Sequence, residues 1–381
     1  MSKVALVKCE TYDYDTVREA VRRGIELLGG AGKYARADEK ILIKPNLLSA
    51  DPPEKCSTTH YTVFKAVAAE FLETNAIVSY GDSPGFHSPT SAAGKSKIMN
   101  AASELGIKLS DFERGEEVPF HEGIQNKRFY IAKGVLENDG IISVSKLKAH
   151  GLTRITGAVK NQFGCIPGFS KGEFHARLPD ALGFARMLVD LNRLLKPRLY
   201  IMDGIMAMEG NGPRNGNPKK MGVLLFSCDP VALDATVCRM IDLEPDYVPT
   251  IKYGAEYGLG TYDNVEILGD SLDSFRDPSF AVVREPVKSY RSGGAIQFFR
   301  NTVIPKPYIV DEKCKRCGVC VKVCPVSPKA VDWHNGDKAS VPSYRYRNCI
   351  RCYCCQELCP EGAINLRLPL IRRLAFKGKK S

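Results

Sequence analysis

The chain contains 381 residues, enough for two or three domains, and its formal net charge is +11. Its 44% hydrophobic and 25% charged residues are ordinary for a globular protein. Six basic residues between Arg367 and Lys380 carry more than half of the net charge, so a generally nucleic-acid-binding surface is excluded and no nucleic-acid partner is expected.

The sequence shows no sign of export or membrane insertion. The N-terminus turns polar by Glu10, which excludes a signal peptide, and no apolar run is long enough for a transmembrane segment. We therefore expect a cytoplasmic protein. Six cysteines without a pairing pattern fit such a reducing compartment: Cys9, Cys56, Cys165, Cys228, Cys238 and Cys354.

Predicted strands and helices alternate along the first 270 residues. Asp15 is expected to cap the first helix, whose apolar stripe ends before Gly29-Gly30. The alternation predicts an α/β domain over 1–270, with a mostly parallel sheet and helices on both faces. The predicted strands cover residues 3–9, 40–44, 76–80, 140–145, 198–202, 222–227 and 265–268, and the main helices 15–28, 59–73, 180–195 and 231–241.

Polar residues follow five of these predicted strands. The carboxyl ends of parallel strands share one edge of a sheet, where ligands bind, so we expect these residues to converge on a second site. Each also has a structural interpretation as a turn residue, a helix cap or a solvated charge. The segments are Lys44-Pro45-Asn46, Gly81-Asp82-Ser83, Lys146-Leu147-Lys148-Ala149-His150, Asp203-Gly204 and Cys228-Asp229-Pro230.

Three loops strengthen this expectation. The segment 57–60 offers hydroxyls and a helix N-terminus to an anion. Thr156 and Lys160 are spaced to share one helical face. The glycine-rich segment 209–213 permits close backbone approach, although the chain has neither a P-loop nor a nicotinamide-binding G-x-G-x-x-G pattern.

These residues define candidate roles in an anion site. Lysines suit a carboxylate or phosphate, a histidine is the natural proton donor near neutral pH, and carboxylates orient the donor or bind a metal. The candidate catalytic residues are His150, Lys160 and Asp203. The candidate substrate-binding residues are Lys44, Asn46, His60, Asp82, Lys146, Lys148, Asn161 and Glu209.

Two matching cysteine runs follow a proline- and glycine-containing linker or docking segment at 271–306. Each run reads C-x-x-C-x-x-C-x-x-x-C-P, in which the first three thiolates bind one 4Fe–4S cluster and the fourth binds the other. Zinc sites lack the third closely spaced cysteine, and disulfides require an oxidising compartment. We therefore predict two 4Fe–4S clusters in a domain at 307–366, one held by Cys314, Cys317, Cys320 and Cys359, the other by Cys349, Cys352, Cys355 and Cys324.

The basic tail at 367–381 alternates apolar and basic residues. This pattern is compatible with a frayed terminus, or with a short amphipathic helix that docks on an acidic redox partner or an anionic membrane.

Two resemblances follow from these motifs. The cysteine runs resemble bacterial two-cluster ferredoxins over about sixty residues, which implies a small α+β domain and one-electron transfer at low potential. Residues 4–269 resemble the family called domain of unknown function 362, whose members often carry a C-terminal pair of 4Fe–4S motifs. That resemblance rests on Lys44-Pro45-Asn46, Lys148-x-His150, Thr156 to Gly164, and Asp203 with Gly210-x-Gly212-Pro213.

The leading hypothesis is an iron–sulfur reductase, or a reductive cofactor-processing enzyme, that receives electrons from a redox partner protein. It would deliver them to an anionic small molecule in the α/β crevice. The alternatives are an electron carrier whose α/β domain docks a partner enzyme, and a cluster scaffold or maturation factor. A buried, mutually interacting set of Lys, His and Asp residues would favour the enzyme.

Overall fold

The computed structural model describes residues 1–178, 180–287 and 304–367, without the side chains of residues 169 and 170. The chain divides into two compact units, Met1–Lys171 with Ala185–Pro286 and Gly172–Phe184 with Val287–Ser381. The segment at 295–300 and nearly all of the basic tail lie outside the described residues. The four predicted domain ranges therefore stay predictions.

The described elements before the linker alternate as predicted, with additional short elements between residues 89 and 136. The strands are β1 (Lys3–Lys8), β2 (Lys40–Pro45), β3 (Ile77–Tyr80), β4 (Lys108–Leu109), β5 (Gly115–Pro119), β6 (Arg128–Ala132), β7 (Gly140–His150), β8 (Arg154–Ile155), β9 (Leu199–Glu209), β10 (Asn217–Ser227) and β11 (Glu266–Gly269). The helices are α1 (Tyr14–Glu26), α2 (Tyr61–Leu72), α3 (Pro89–Lys95), α4 (Ile98–Glu104), α5 (Lys133–Leu136), α6 (Gly157–Asn161), α7 (Gly168–Arg177), α8 (Ala181–Leu195), α9 (Pro230–Met240) and α10 (Pro249–Glu256).

A nine-stranded sheet forms the centre of the first unit, with the order β11-β1-β10-β9-β7-β2-β3-β4 and β8 paired to β7. Strands β9, β7, β2, β3 and β4 are parallel to one another, and β1 is parallel to β11. Strand β10 runs antiparallel to both β1 and β9. The expected α/β class with a mostly parallel sheet is confirmed.

The reversal of β10 corrects one expected strand end. Cys228-Asp229-Pro230 follows β10 and therefore lies at the opposite edge of the sheet from the other four polar segments. Asp229 caps α9 by accepting hydrogen bonds from the backbone N–H groups of Val231 and Ala232. Its interpretation as a helix cap is confirmed.

Local chemistry explains the first helix, with one correction. Asp13 rather than Asp15 caps α1, since its carboxylate accepts from the backbone N–H of Thr16 at 3.0 Å. The predicted stripe, Val17, Val21, Ile25 and Leu28, is buried.

Helices cover both faces of the sheet. Buried residues of α1 and α2 pack with Ile142, Val144 and Ile201 in one hydrophobic core. Residues of α6 and α9 pack with Leu147, Ala149 and other strand residues in a second core. This layering follows from the alternation of side chains along each strand.

Strands β7 and β9 extend beyond their predicted ends. Lys146, Lys148 and His150 therefore lie within β7 rather than after it, and Asp203 lies inside β9. On β7, the face that carries Ile142 and Val144 continues with Lys146 and then Lys148. The sequence changes from apolar to cationic residues on one face without ending the strand.

The second unit has two small antiparallel pairs of strands. Strand β12 (Lys306–Ile309) pairs with β15 (Ile364–Arg367), and β13 (Val331–Asp332) pairs with β14 (Ser343–Tyr344). Its short helices are α11 (Val319–Lys322) and α12 (Cys354–Leu358). Buried cysteines pack there with residues such as Val331 and Ile364.

The two cysteine runs have matching backbones. Arg316 and Arg351 occupy equivalent positions and both have positive φ, as do Gly318 and Tyr353 immediately before the two helices. An internal repeat in sequence is thus an internal repeat in conformation.

Among the described residues, no helix is long and apolar enough to cross a membrane.

Candidate functional site

A network of buried and half-buried polar groups surrounds Asp203. Lys146 Nζ lies 2.8 Å from Asp203 Oδ2 and 2.8 Å from the hydroxyl oxygen of Tyr12. Tyr12 donates to Asp203 Oδ1 at 2.9 Å, and the backbone N–H groups of His60 and Ile205 donate to the same carboxylate. Four donors therefore satisfy Asp203, which suits it to positioning rather than to proton transfer.

His60 belongs to this network as a neutral side chain. Its ring stacks on Tyr12 with centroids 3.6 Å apart, and its Nδ1 accepts from the backbone N–H of Thr62 as the cap of α2. Burial lowers the pKa of His60 to about 4 although Asp203 opposes the shift.

A second ion pair lies on the other face of the sheet. Residue 44 pairs with Ser143 in the β2–β7 register, so Lys44 faces away from Lys146 and Lys148. Lys44 Nζ lies 2.8 Å from Asp82 Oδ1, and Asp82 Oδ2 accepts from the backbone N–H of Leu47 at 2.6 Å. The predicted residues share one edge of the sheet but are divided between its two faces.

Gly164 permits the Lys44–Asp82 pair to form. A Cβ atom at position 164 would stand 1.7 Å from Asp82 Oδ1 and 2.8 Å from Lys44 Nζ. Any other residue would push the carboxylate away, so glycine is required here by space alone.

Asn46 connects the two faces at the end of β2. Its Oδ1 accepts from Lys148 Nζ at 2.6 Å, and its Nδ2 donates to Asn161 Oδ1 at 3.2 Å. Asn161 in turn donates to Ser143 Oγ at 3.0 Å. The predicted binding residues Asn46, Lys148 and Asn161 are thus joined by direct hydrogen bonds.

Lys148 is buried without a carboxylate in contact. Besides Asn46, its ammonium donates to the carbonyl oxygen of Ser57 at 2.6 Å. Burial, together with the charges of Lys160 and Lys146, lowers its pKa to about 7, although Asp82 and Asp51 oppose the shift. Lys160 is half-buried on α6.

Lys171 is a similar lysine that sequence reasoning missed. It donates to the carbonyl oxygens of Ser83 and Pro84. Burial lowers its pKa to about 7, with Asp82 opposing the shift and Lys44 reinforcing it. No strand-end or motif signal marks position 171, because it lies on α7, away from the strand ends.

Asp51 and Arg214 form a buried ion pair that was also missed. Two guanidinium nitrogens of Arg214 lie 2.9 and 2.8 Å from the two carboxylate oxygens of Asp51. Burial raises the pKa of Asp51, but Arg214, Ser49 and Ser57 together lower it to about 2. The signal was in the glycine-rich loop, since Arg214 directly follows the segment 209–213.

His150 and Glu209 have more local contacts. His150 Nδ1 accepts from the backbone N–H groups of Leu152 and Thr153, which leaves Nε2 as the ring nitrogen that can donate. Glu209 Oε2 accepts from the backbone N–H of Ala281 at 2.8 Å. Among the described contacts, the Glu209 side chain therefore binds the backbone at Ala281 and none of the buried lysines.

The edge of the sheet carries an excess of positive charge. Asp82 and Asp203 each balance one lysine, and Asp51 balances Arg214. Among the described residues, Lys148 and Lys171 have no salt-bridge partner, and the nearby charge of Lys160 helps to lower the pKa of both. A buried excess of cations is unfavourable unless an anion joins it, so the arrangement suits an anionic ligand.

The second unit contains a cavity ringed by thiols. Cys314, Cys317, Cys320 and Cys359 line it together, and these are the four residues predicted to share one cluster. Among the described residues, no three His, Cys, Asp or Glu side chains are grouped to hold a single metal ion. A cube has a different requirement, because its four thiolates must surround a cluster rather than meet at one atom.

A second group of cysteines comprises Cys349, Cys352 and Cys355. Burial and the nearby thiols of Cys352, Cys349 and Cys320 raise the pKa of Cys355 well above its usual value. Cys354, which the pattern excludes as a ligand, is buried close to Cys352. The thiol-rich, largely apolar surroundings of both groups fit 4Fe–4S binding.

These two parts define the class: this is an α/β protein with a ferredoxin-like 4Fe–4S unit. The chain belongs to the family described as domain of unknown function (DUF362), which matches residues 41–239. Residues 306–360 match a 4Fe-4S dicluster domain.

One curated relative is a thylakoid-associated protein, sll1697, from Synechocystis sp. It is 33% identical over 260 residues, which cover 68% of this chain and 80% of the relative.

Two solved structures resemble part of the chain more distantly. The lactate racemase apoprotein from Thermoanaerobacterium thermosaccharolyticum has a TM-score of 0.40 and 11% identity, covering 61% of this chain. A protein from Thermotoga maritima has a TM-score of 0.36 and 9% identity, covering 59% of this chain. The matches span 55% and 57% of those two chains, respectively.

Proposed function

We propose that this chain is an iron–sulfur reductase that binds a small anionic molecule at the carboxyl edge of its sheet, near Lys148. The observation that carries the proposal is the buried amine of Lys148, which among the described residues donates to the neutral oxygens of Asn46 and Ser57 and contacts no carboxylate. Charged side chains are rarely buried without a counter-charge, and a bound anion would supply it.

Two buried hydroxyls lie on segments that contact Lys148. Thr58 Oγ1 and Thr156 Oγ1 have no hydrogen-bond partner among the described residues. Thr58 follows Ser57, whose carbonyl accepts from Lys148, and the backbone N–H of Thr156 donates to the carbonyl of Lys148. An anionic group beside Lys148 would accept hydrogen bonds from both hydroxyls as well as from the ammonium.

His150 is proposed to donate a hydrogen bond to the ligand through Nε2, because its Nδ1 already accepts from the backbone. Lys146 is held by Asp203 and Tyr12 and therefore acts as a fixed charge. Lys160, half-buried on α6, is proposed to contact the ligand from the helix side.

Two 4Fe–4S clusters, held by the two predicted cysteine sets, would supply single electrons when bound. We propose that a redox partner protein donates these electrons. The tail expected to dock that partner lies outside the described residues, apart from Arg367.

A thermal-shift experiment tests the anion site. The probes are inorganic phosphate, pyrophosphate and citrate, added to the cluster-loaded chain under anaerobic conditions. A probe that binds only the folded state at a hundred times its Kd would stabilise the protein by about 2.7 kcal/mol. We expect at least one polyanion to raise the unfolding midpoint, and Lys148→Met to abolish that rise.

Lys108→Met is the matched control, because Lys108 is an exposed lysine on the short edge strand β4. The control should keep the full response. If no anion stabilises the wild type, or both lysine variants respond equally, the α/β unit has no such site and the carrier hypothesis is favoured.

A further inference from the structure

Sulfur atoms in the second unit accept hydrogen bonds in a pattern that is only partly symmetric. Cys324 Sγ accepts from the backbone N–H of Ala330 at 3.4 Å, and Cys359 Sγ accepts from the backbone N–H of Ala363 at 3.3 Å. These two bonds involve the equivalent, fourth cysteines of the two runs. The two halves of the repeat are therefore alike in this hydrogen bond.

Tyr344 breaks this symmetry. Its hydroxyl donates to Cys355 Sγ at 3.1 Å. The equivalent cysteine of the first run is Cys320, and among the residues that the structure describes no tyrosine hydroxyl donates to it. The third cysteines of the two runs thus differ in one O–H donor.

The position of Tyr344 is fixed by its neighbours. It lies on β14, where it pairs with Val331 of β13. Its ring stacks on Tyr346 with centroids 5.6 Å apart and an interplanar angle of 6°. The hydroxyl is therefore held at the sulfur by the backbone and by packing, and not only by the bond itself.

A hydrogen bond to a cluster sulfur stabilises the reduced, more negative state more than the oxidised state, and so raises the reduction potential. We propose that Tyr344 is a positioning residue that makes the two clusters unequal. Acting through Cys355, it raises the potential of the cluster held by Cys349, Cys352, Cys355 and Cys324 above that of the other. This inference rests on the two-cluster ligand set of the proposed function, but not on the anion site.

The consequence is a preferred location for the first electron. A chain reduced by one electron holds it mainly at the cluster that Cys355 ligates. The cluster built on the first run is then the stronger reductant when both are reduced. Near-identical sequence motifs would thereby give two functionally distinct redox centres.

The test is an anaerobic redox titration of the full, cluster-loaded chain, followed by electron paramagnetic resonance. Tyr344→Phe should lower the midpoint potential of one cluster and leave the other unchanged. The reduction equilibrium constant of that cluster should fall about tenfold, which corresponds to about 59 mV for a one-electron couple. Iron content should match that of the wild type.

Tyr346→Phe is the matched control. Its hydroxyl donates to the carbonyl oxygen of Pro307 at 2.9 Å, so the change removes a phenol oxygen from the same ring stack without touching a sulfur. Unchanged potentials in this variant support the proposal.

Three results would overturn it: equal shifts in both clusters of Tyr344→Phe, equal shifts in the two tyrosine variants, or no shift at all. Iron for only one cluster in the wild type would remove the ligand set on which the inference rests. That result is distinguishable from failure of the anion site, since the titration contains no polyanion.

Discussion

Lys148 illustrates how a single buried amine couples folding stability to pH. With its pKa lowered to about 7, the folded state gives up a proton that the unfolded state keeps until about pH 10.4. The folded state therefore binds fewer protons than the unfolded state across this range. The contribution of Lys148 to stability consequently rises with pH between about 7 and 10.

The first prediction concerns this slope. Lys148→Met should flatten the rise of unfolding stability with pH by at most about 1.4 kcal/mol per pH unit. Thermal unfolding from pH 7 to 10, followed by circular dichroism, measures it. Lys108→Met should keep the wild-type slope. An unchanged slope in Lys148→Met would mean that its amine is charged in the folded state.

The second prediction concerns an orphan hydroxyl. Thr58→Val removes a buried oxygen that has no hydrogen-bond partner among the described residues, so the ligand-free protein should become more stable, by about 1 kcal/mol. The same change should weaken polyanion binding, because the hydroxyl is a proposed donor. Thermal unfolding with and without pyrophosphate measures both effects. The same change of stability with and without pyrophosphate would contradict a role for Thr58 in binding.

Loops, rather than strands, hold the Asp51–Arg214 pair. The pair ties the glycine-rich loop to the segment that carries Ser57, and both ends are buried. Because the pKa of Asp51 is lowered to about 2, its contribution is complete above about pH 4. It is lost only as the pH falls towards 2.

The third prediction concerns this loop contact. Asp51→Asn should destabilise the protein by about 3 to 5 kcal/mol at pH 7, because it leaves the Arg214 charge buried without its carboxylate. Urea or thermal unfolding measures the loss. Asp263→Asn, on an exposed turn, is the control and should change little. A loss below about 1 kcal/mol would show that the pair is solvated.

Sequence reasoning predicted elements well where periodicity was strong and poorly where contacts between distant residues decide. The apolar stripe of α1 was predicted from the helical spacing of its residues. The position of four polar segments at one edge of the sheet was predicted from the geometry of parallel strands. The reversal of β10 did not, because a buried strand has the same composition in either direction. Tyr12, Asp51 and Lys171 were missed since their functional neighbours lie far along the chain.

At the scale of the whole molecule, the two units carry separable chemistry. The anion proposal rests only on residues of the first unit, and the cluster ligands belong only to the second. Each can therefore be changed while the other is measured.

The fourth prediction uses this separation. The wild type should bind about eight irons, and Cys324→Ala about four, because it lacks one ligand of the cluster built by the second run. Cys354→Ala, the control, should keep about eight. Iron analysis and visible absorption measure the content, and thermal shift with pyrophosphate should give the same response in all three proteins. Stoichiometric zinc without visible absorption would contradict the cluster assignment.

The division into units also bears on biosynthesis. Gly172–Phe184 groups with the C-terminal unit although both of its flanking segments belong to the first. On the ribosome this stretch emerges about a hundred residues before the rest of its unit, so that unit can form only after synthesis has passed Pro286.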